Sequence, residues 1–206
     1  MPITVTISAV ENASQTQKDF ILASGELLEK ALRDEQSFAD KIKRATYKQR
    51  KFRDKDGNVR DLEPDAIARL IVEGREPNQQ GSTTPDRDID LSVRLYPHKK
   101  GTVGSTRLRH QPVKPAFWFV DRCIASKDGV SMARHLMHEW LHVVGFFHYP
   151  NNSARDDVPY VVGEIVRKRL RDKSLFRGIA HLEEIGNENE LTAYLWDESE
   201  EDLTFD

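Results

Sequence analysis

Three histidines and one glutamate in a short stretch have the types and spacing to hold a metal ion and activate a water molecule. The stretch from His138 to His148 reads H-E-x-x-H-x-x-G-x-x-H. On a helix, His138 and His142 share one face, one turn apart, and Glu139 can reach a water between them. Gly145 can end the helix in a left-handed conformation, so that the returning chain supplies His148 as a third nitrogen. Three imidazoles with one open position are the arrangement of a catalytic zinc ion, not a structural one.

The alternative is an amphipathic core helix that carries these histidines by accident. The pattern fixes five positions, and the composition of this chain gives it a chance expectation on the order of 10⁻⁵ per sequence. A core helix would also gain nothing from a buried glutamate at this offset. We therefore predict a Zn²⁺ site with His138, His142 and His148 as its ligands.

The stretch resembles the long zinc signature of the metzincin clan of metallopeptidases. The match is residue by residue: the three histidines fall on the zinc ligands, Glu139 on the general base and Gly145 on the turn glycine. The resemblance implies an α+β fold with a twisted mixed β-sheet, a long helix and a zinc-binding active-site helix. It also implies a single metallopeptidase domain over residues 1–206. By this resemblance residues 1–145 would form the N-terminal lobe, and residues 146–206 would form a small C-terminal lobe with the third ligand, a tyrosine-containing turn and a C-terminal helix.

One departure from the clan pattern lies downstream of the third ligand. Metzincins carry a methionine in a tight turn beneath the metal, whereas all three methionines of this chain precede His148. The expected replacement is the turn over residues 157–163, which contains a proline and an apolar run. It includes Tyr160, and related enzymes carry a tyrosine near that turn which contacts the metal or the oxyanion. Tyr160 is thus a candidate catalytic residue; a packing tyrosine with a satisfied hydroxyl is the other role that the sequence leaves open.

The activity implied by the resemblance is that of a zinc-dependent endopeptidase acting on a protein or peptide substrate. Zinc would acidify its water and polarise the scissile carbonyl, and Glu139 would move the proton from that water to the leaving amine. Residues 103–106 would pair with an extended substrate, and Val161 and Val162 would help line the pocket beyond the cleaved bond. Two alternatives stay open: a catalytically inactive zinc-binding protein on the same scaffold, and a hydrolase of a non-peptide amide. The intact Glu139 argues against the first.

Length, charge and composition limit the classes of protein to which the chain can belong. The chain has 206 residues and a net charge of −3, so there is no global signature of a nucleic-acid-binding protein. A single cysteine excludes an intrachain disulfide, and the absence of a long apolar run predicts no transmembrane helix. The first residues alternate like a strand and lack the pattern of a secretory signal. We expect a monomer without membrane or nucleic-acid partners. It is expected to be cytoplasmic, to be exported by a route that needs no such signal, or to have had its leader removed.

Periodicity and breaker residues predict the order of elements along the chain. The expected elements are a strand over residues 3–9, one long helix capped by Ser14 or Thr16 and running to about Ala45, an exposed hairpin over 46–60, a short helix from Pro64 to near Gly74, a strand over 88–96, an edge strand over 101–108, a buried strand over 117–120, the zinc helix capped by Asp128 and a C-terminal helix over 163–173. The stretch from Tyr47 to Gly74 exceeds the minimal metzincin-like plan and is interpreted as an insertion.

Three other features of the sequence are interpreted as structural and not as parts of the metal site. His135 lies one turn toward the start of the zinc helix and is predicted to support the site without binding the metal. Cys123 is predicted to be a small core residue. The basic runs 41–60 and 167–177 are interpreted as solvated faces balanced by the acidic tail after Glu183.

Overall fold

The computed structural model describes residues 2–76, 85–148 and 155–172, which form an α+β architecture. Within these ranges the strands are β1 (Thr4–Glu11), β2 (Lys51–Arg53), β3 (Val59–Asp61), β4 (Asp88–Arg94), β5 (Gly104–Ser105) and β6 (Lys114–Pro115). The helices are α1 (Gln15–Leu32), α2 (Glu35–Arg44), α3 (Pro64–Val72), α4 (Phe117–Ala125), α5 (Gly129–Val144) and α6 (Val158–Arg171). The acidic tail after Glu183 and the predicted end of the last helix at Lys173 lie outside these ranges.

The sheet is smaller than predicted. β1 and β4 pair in parallel, whereas β2–β3 and β5–β6 are separate antiparallel pairs. Single parallel bridges, Val93 to Val113 and Tyr96 to Ala116, join β4 to the chain around β6. The strand predicted over residues 101–108 is ordered as β5 over two residues only. Burial alternates along β4 because only one face of the parallel pair packs on the core.

The single long helix predicted to reach Ala45 is two helices. α1 begins at the predicted cap, where Ser14 and Gln17 form a reciprocal capping box. The chain then breaks, and Asp34 starts α2 by accepting a hydrogen bond from the backbone of Ser37 (3.1 Å). Arg169 of α6, 2% exposed, binds the carbonyl of Ala31 (2.7 Å) at this break.

The buried strand predicted over residues 117–120 is wrong, because this run begins helix α4. A short apolar run has no period that separates a buried strand from a buried helix. Phe119, Val120 and Cys123 are buried, and Cys123 shares a helical face with both aromatic and aliphatic partners because it follows Phe119 by four residues and Val120 by three. The prediction that Cys123 is a core residue is confirmed by its burial.

The helix that carries the motif is surrounded by the rest of the fold. Nearly every residue of α5 is buried, and the helix packs against α1, α4 and α6. The predicted cap is confirmed, since Asp128 accepts a hydrogen bond from the backbone of Ser131 (2.8 Å). At the other end Arg109 donates from its backbone to the carbonyl of His142 (2.9 Å) and from its side chain to that of Val144 (2.9 Å). Backbone groups at both ends of α5 therefore have hydrogen-bond partners outside the helix, which stabilises the helix that carries the histidines.

None of the helices in the described ranges is both long enough and apolar enough to cross a lipid bilayer.

Candidate metal centre

Three histidine rings converge at the C-terminal half of α5. His138 and His142 lie one turn apart on α5, and His148 follows the turn at Gly145. One ligand atom from each ring lies within 4.8 Å of the other two, and Nε2 of His138 is 3.2 Å from Nε2 of His148. Two nitrogens bound to one zinc ion in tetrahedral geometry lie about 3.3 Å apart. The structure thus brings together the three predicted ligands at a spacing that could hold a metal ion.

The outer nitrogens of two rings face acceptors. Nδ1 of His142 donates to the backbone carbonyl of Phe146 (2.7 Å), and Nδ1 of His148 donates to Oδ2 of Asp157 (2.6 Å). A carbonyl and a carboxylate only accept hydrogen bonds, so each ring donates from Nδ1 and leaves Nε2 to face the cluster. Burial lowers the pKa of His142 to about 4. An imidazole that donates from one nitrogen and presents the other to the cluster is the arrangement of a zinc ligand.

The turn after α5 is shaped by the hairpin that the sequence suggested was an insertion. Gly145 has φ 133°, and its carbonyl accepts a hydrogen bond from the backbone of Arg53 (2.9 Å). A Cβ at this position would lie 2.5 Å from the carbonyl oxygen of Arg53, so the turn requires glycine. The ring of Phe52 packs edge-on against that of Phe146, with centroids 5.2 Å apart. The hairpin therefore fixes the first step of the chain toward His148.

The chain at Asp156 and Asp157 is held by the residues just before that hairpin. The backbone N–H of Lys48 donates to the carbonyl of Asp156 (3.1 Å), and Gln49 forms a parallel bridge with Asp157. We call residues 48–53 the brace. It contacts the chain on both sides of the third histidine, which is a supporting role that the sequence did not predict.

Asp157 joins the third histidine to the start of α6. Its Oδ2 accepts from the ring of His148, and its Oδ1 accepts from the backbone of Tyr160 (3.3 Å) as the N-cap of the helix. The side chain is 1% exposed. In the sequence Asp157 falls in a predicted turn, without a predicted role. Its position two residues before a proline at the helix start was the signal that could have identified it as a cap.

We expect Asp157→Asn to weaken metal binding by about 10- to 100-fold, the usual loss when the hydrogen-bonded partner of a histidine ligand is changed. An asparagine has one acceptor oxygen and cannot serve both the His148 ring and the backbone of Tyr160. Titration with a competing chelator measures the affinity. Asp128→Asn is the matched control, because it makes the same change at the N-cap of α5. Asp128 accepts from the backbone of Ser131 and not from a histidine ring. Equal metal affinities in Asp157→Asn and Asp128→Asn would show that Asp157 does not support metal binding through His148.

Glu139 lies beside the cluster and is fixed by a threonine. It is 3% exposed, and Thr106 donates a hydrogen bond from its hydroxyl to Oε2. Burial raises the pKa of Glu139 to about 7, and the bond from Thr106 opposes this shift. In the sequence Thr106 is predicted only as part of an edge strand. Thr106 and Glu139 are far apart in sequence, so no local sequence pattern predicts their contact.

His135 lies behind Glu139 and outside the cluster of three rings. Its Nδ1 is 3.7 Å from Oε1 of Glu139, and its ring packs edge-on against Phe119 with centroids 5.0 Å apart. Burial lowers the pKa of His135 to about 3, so this contact joins a neutral ring to a carboxyl group and is not an ion pair. A Cβ on Gly104 would lie 2.5 Å from the ring, so this close approach depends on the glycine. The position agrees with the predicted supporting role.

Tyr160 contacts two of the three histidines. Its ring stacks on His148 at a centroid distance of 4.9 Å and meets His138 edge-on at 4.7 Å. The turn predicted over residues 157–163 is wrong, because α6 already begins at Val158 and Tyr160 lies in its first turn. An aspartate cap followed by a proline begins a helix, and this start signal prevailed over the turn tendency of the proline.

The cluster opens into a pocket of about 450 Å³. One wall is the segment 102–106, and the other is the face of α5 that carries the histidines, with Tyr160 at its side. The prediction that Val161 and Val162 line this pocket is wrong. Val162 is fully buried in the core, and neither valine is among the lining residues.

Comparisons of the chain with protein-family models, with curated proteins and with solved structures find no match. The function proposed for the chain therefore rests on the geometry of the site.

Proposed function

We propose that the protein is a zinc-dependent endopeptidase. The observation that carries the proposal is the convergence of three imidazole nitrogens that line one pocket together with a buried carboxyl group. His138, His142 and His148 would hold the ion through their Nε2 atoms. When bound, zinc supplies the Lewis acidity that polarises a peptide carbonyl and acidifies water.

The protein's own groups would move the proton and position the substrate. Glu139, oriented by Thr106, accepts the proton of the attacking water and delivers it to the nitrogen of the leaving amine. An extended peptide can lie along residues 103–106, whose strand β5 pairs on its other side with β6. The proposed cleavage point is the peptide bond that passes between this segment and the three rings.

Digestion of a peptide library by the full chain tests the proposal. We expect cleavage products when zinc is supplied at one ion per chain, loss of cleavage on adding a chelator, and its return when zinc is restored. Mass spectrometry of the products identifies the bonds cut. A zinc-loaded chain that cleaves no peptide would exclude the endopeptidase and favour the inactive zinc-binding protein or an amidase of non-peptide substrates.

Tyr160→Phe tests whether the tyrosine hydroxyl stabilises the oxyanion. The phenylalanine ring keeps the packing on His148 and His138, so zinc content and melting temperature should barely change. Loss of one oxyanion donor should lower kcat by roughly 10- to 1000-fold and leave KM almost unchanged. Steady-state kinetics, with zinc content measured on the same preparation, gives the result.

Tyr47→Phe is the matched control for this change. The hydroxyl of Tyr47 donates to the carbonyl of Ile42 (2.9 Å), and Tyr47 does not line the pocket. Its removal should destabilise the fold by about 1 kcal/mol and leave kcat intact. Full turnover in Tyr160→Phe at full zinc occupancy would assign Tyr160 to packing alone.

A further inference from the structure

The backbone groups of the short strand β5 point alternately toward β6 and away from it. β6 places Pro115 opposite Gly104. Because a proline has no N–H, these two residues form a pair that exchanges no hydrogen bonds. The bond at this end of the ladder runs instead from the backbone N–H of Ala116 to the carbonyl of Val103 (2.8 Å). Gly104 therefore points its backbone groups away from β6, along the edge of the strand that lines the pocket.

The side chains show that the alternation continues through Thr106, the residue after β5. An added Cβ at Gly104 would lie 2.5 Å from a histidine ring of α5, and the hydroxyl of Thr106 donates to Glu139 on the same helix. The hydroxyl of Ser105, between them, lies 3.2 Å from Nε2 of His98 on the other face of the strand. Gly104 and Thr106 thus share one orientation, and the backbone groups of Thr106 face the same edge as those of Gly104.

Thr106 lies between two fixed points of the fold. Before it, β5 pairs with β6, and three residues after it the backbone N–H of Arg109 donates to the carbonyl of His142 on α5 (2.9 Å). The carboxyl group that it holds is also confined from behind, because Nδ1 of His135 is 3.7 Å from Oε1 of Glu139. Thr106 therefore joins a fixed strand edge to a carboxyl group with little room to turn.

From these contacts we propose that Thr106 is a positioning residue that aligns the backbone of an extended peptide with the general base. A peptide that adds to this edge exchanges backbone hydrogen bonds with Thr106, and the hydroxyl of the same residue holds Glu139. One residue then sets the distance between the scissile carbonyl and the group that deprotonates the water. An error of about 1 Å in such a distance can cost about 100-fold in rate. The inference rests on the proposed endopeptidase function and adds that the substrate is recognised in extended form, through its backbone.

Thr106→Val tests the part of the hydroxyl. Valine keeps the shape of the side chain and the backbone edge, but it cannot donate to Glu139. We expect kcat to fall by about 10- to 100-fold while KM and zinc content stay almost unchanged, because the peptide still binds and only the general base loses its support. Thr106→Ser should restore most of the turnover, since serine keeps the donor. Steady-state kinetics on a peptide found in the library digest provides the measurement.

Thr6→Val is the matched control for the loss of a threonine hydroxyl. Thr6 also donates to a carboxylate, Oδ2 of Asp88 (2.8 Å), and it does not line the pocket. Its kcat should equal that of the wild type.

Peptides in which one amide at a time is replaced by an ester test the backbone alignment on the wild-type chain. An ester lacks the N–H that donates to a carbonyl of the edge, and the scissile amide is kept in every peptide. The affected positions should recur at every second residue, because alternate residues of a strand face the same neighbour. Of these, the ester nearest the cleaved bond should lower kcat by about 10-fold, the loss of one hydrogen bond. In Thr106→Val this ester should have a smaller effect on kcat, because the alignment is already lost.

Binding measured without turnover separates this inference from the proposed function. Calorimetry with the zinc-loaded Glu139→Gln chain should show weaker binding of every second ester. This pattern in a wild-type chain that cleaves no peptide at full zinc occupancy would overturn the endopeptidase and support the peptide-binding edge. Full kcat in Thr106→Val, or equal losses in Thr106→Val and Thr106→Ser, would overturn the role of Thr106 and leave the endopeptidase standing. An ester series without the period of two would overturn it as well, whether or not Thr106→Val folds.

Discussion

Glu139→Gln is expected to abolish nearly all peptide hydrolysis while the zinc content stays at one ion per chain. Glutamine fills the same buried volume and its side-chain oxygen can still accept the hydrogen bond from Thr106, but it cannot take a proton from water. The loss should appear in kcat and in kcat/KM together, because the proton moves only in the transition state. We expect a decrease of about 10²- to 10⁴-fold, the range of a general base. Steady-state kinetics on a peptide found in the library digest provides the measurement.

A second buried carboxyl group provides the matched control for Glu139. Glu76 is 5% exposed, and burial raises its pKa to about 7, as it does for Glu139. It accepts from the backbone of Asp90 and does not line the pocket. Glu76→Gln should therefore retain turnover. If Glu139→Gln kept even about a tenth of wild-type turnover, Glu139 would not be the general base.

His148→Ala is expected to weaken zinc binding by more than about 100-fold. Changing a residue that only supports a ligand costs 10–100-fold, and this substitution removes the ligand itself. It also leaves the buried carboxylate of Asp157 without the ring that donates to it. Metal analysis after dialysis, followed by chelator competition, measures the change.

Two other histidines define how this result should be interpreted. His110 is exposed and outside the pocket, so His110→Ala should bind zinc as the wild type does. His135→Ala should also retain the ion, because His135 faces Glu139 and not the three-ring cluster. Loss of zinc in His135→Ala with normal binding in His148→Ala would show that the third ligand is His135 and not His148.

The arrangement of the cluster could be predicted because its determinants are local. A spacing of four residues places His138 and His142 on one helical face, and Asp128 and Gly145 mark the two ends of that helix. Only His148 depends on the path of the chain after the helix, and the glycine that sets this path is part of the same pattern. That zinc is the bound metal, and that the site cleaves peptides, stay predictions.

The predicted fold was wrong where the local sequence signals were ambiguous, and where contacts between distant residues determined the secondary structure. The apolar run at Phe117 had no usable period, so a strand and a helix were equally compatible with it. The break between α1 and α2 has a local signal, the cap at Asp34, but the apolar spacing continues past it and obscures it. The arginine that satisfies the carbonyl of Ala31 at that break comes from α6, and no local pattern could show this.

The brace has a consequence for when the metal site forms during folding. Residues 48–53 are far in sequence from their partners at Gly145, Asp156 and Asp157, so closing this contact requires ordering most of the chain between them. The two histidines of α5 can come together as soon as that helix forms, whereas we expect the third to take its place only after the brace has docked. A chain that has not yet closed this contact would offer only two of the three candidate ligands. Tight metal binding would then mark a finished fold, and the proposed peptidase activity would begin only after this contact has closed.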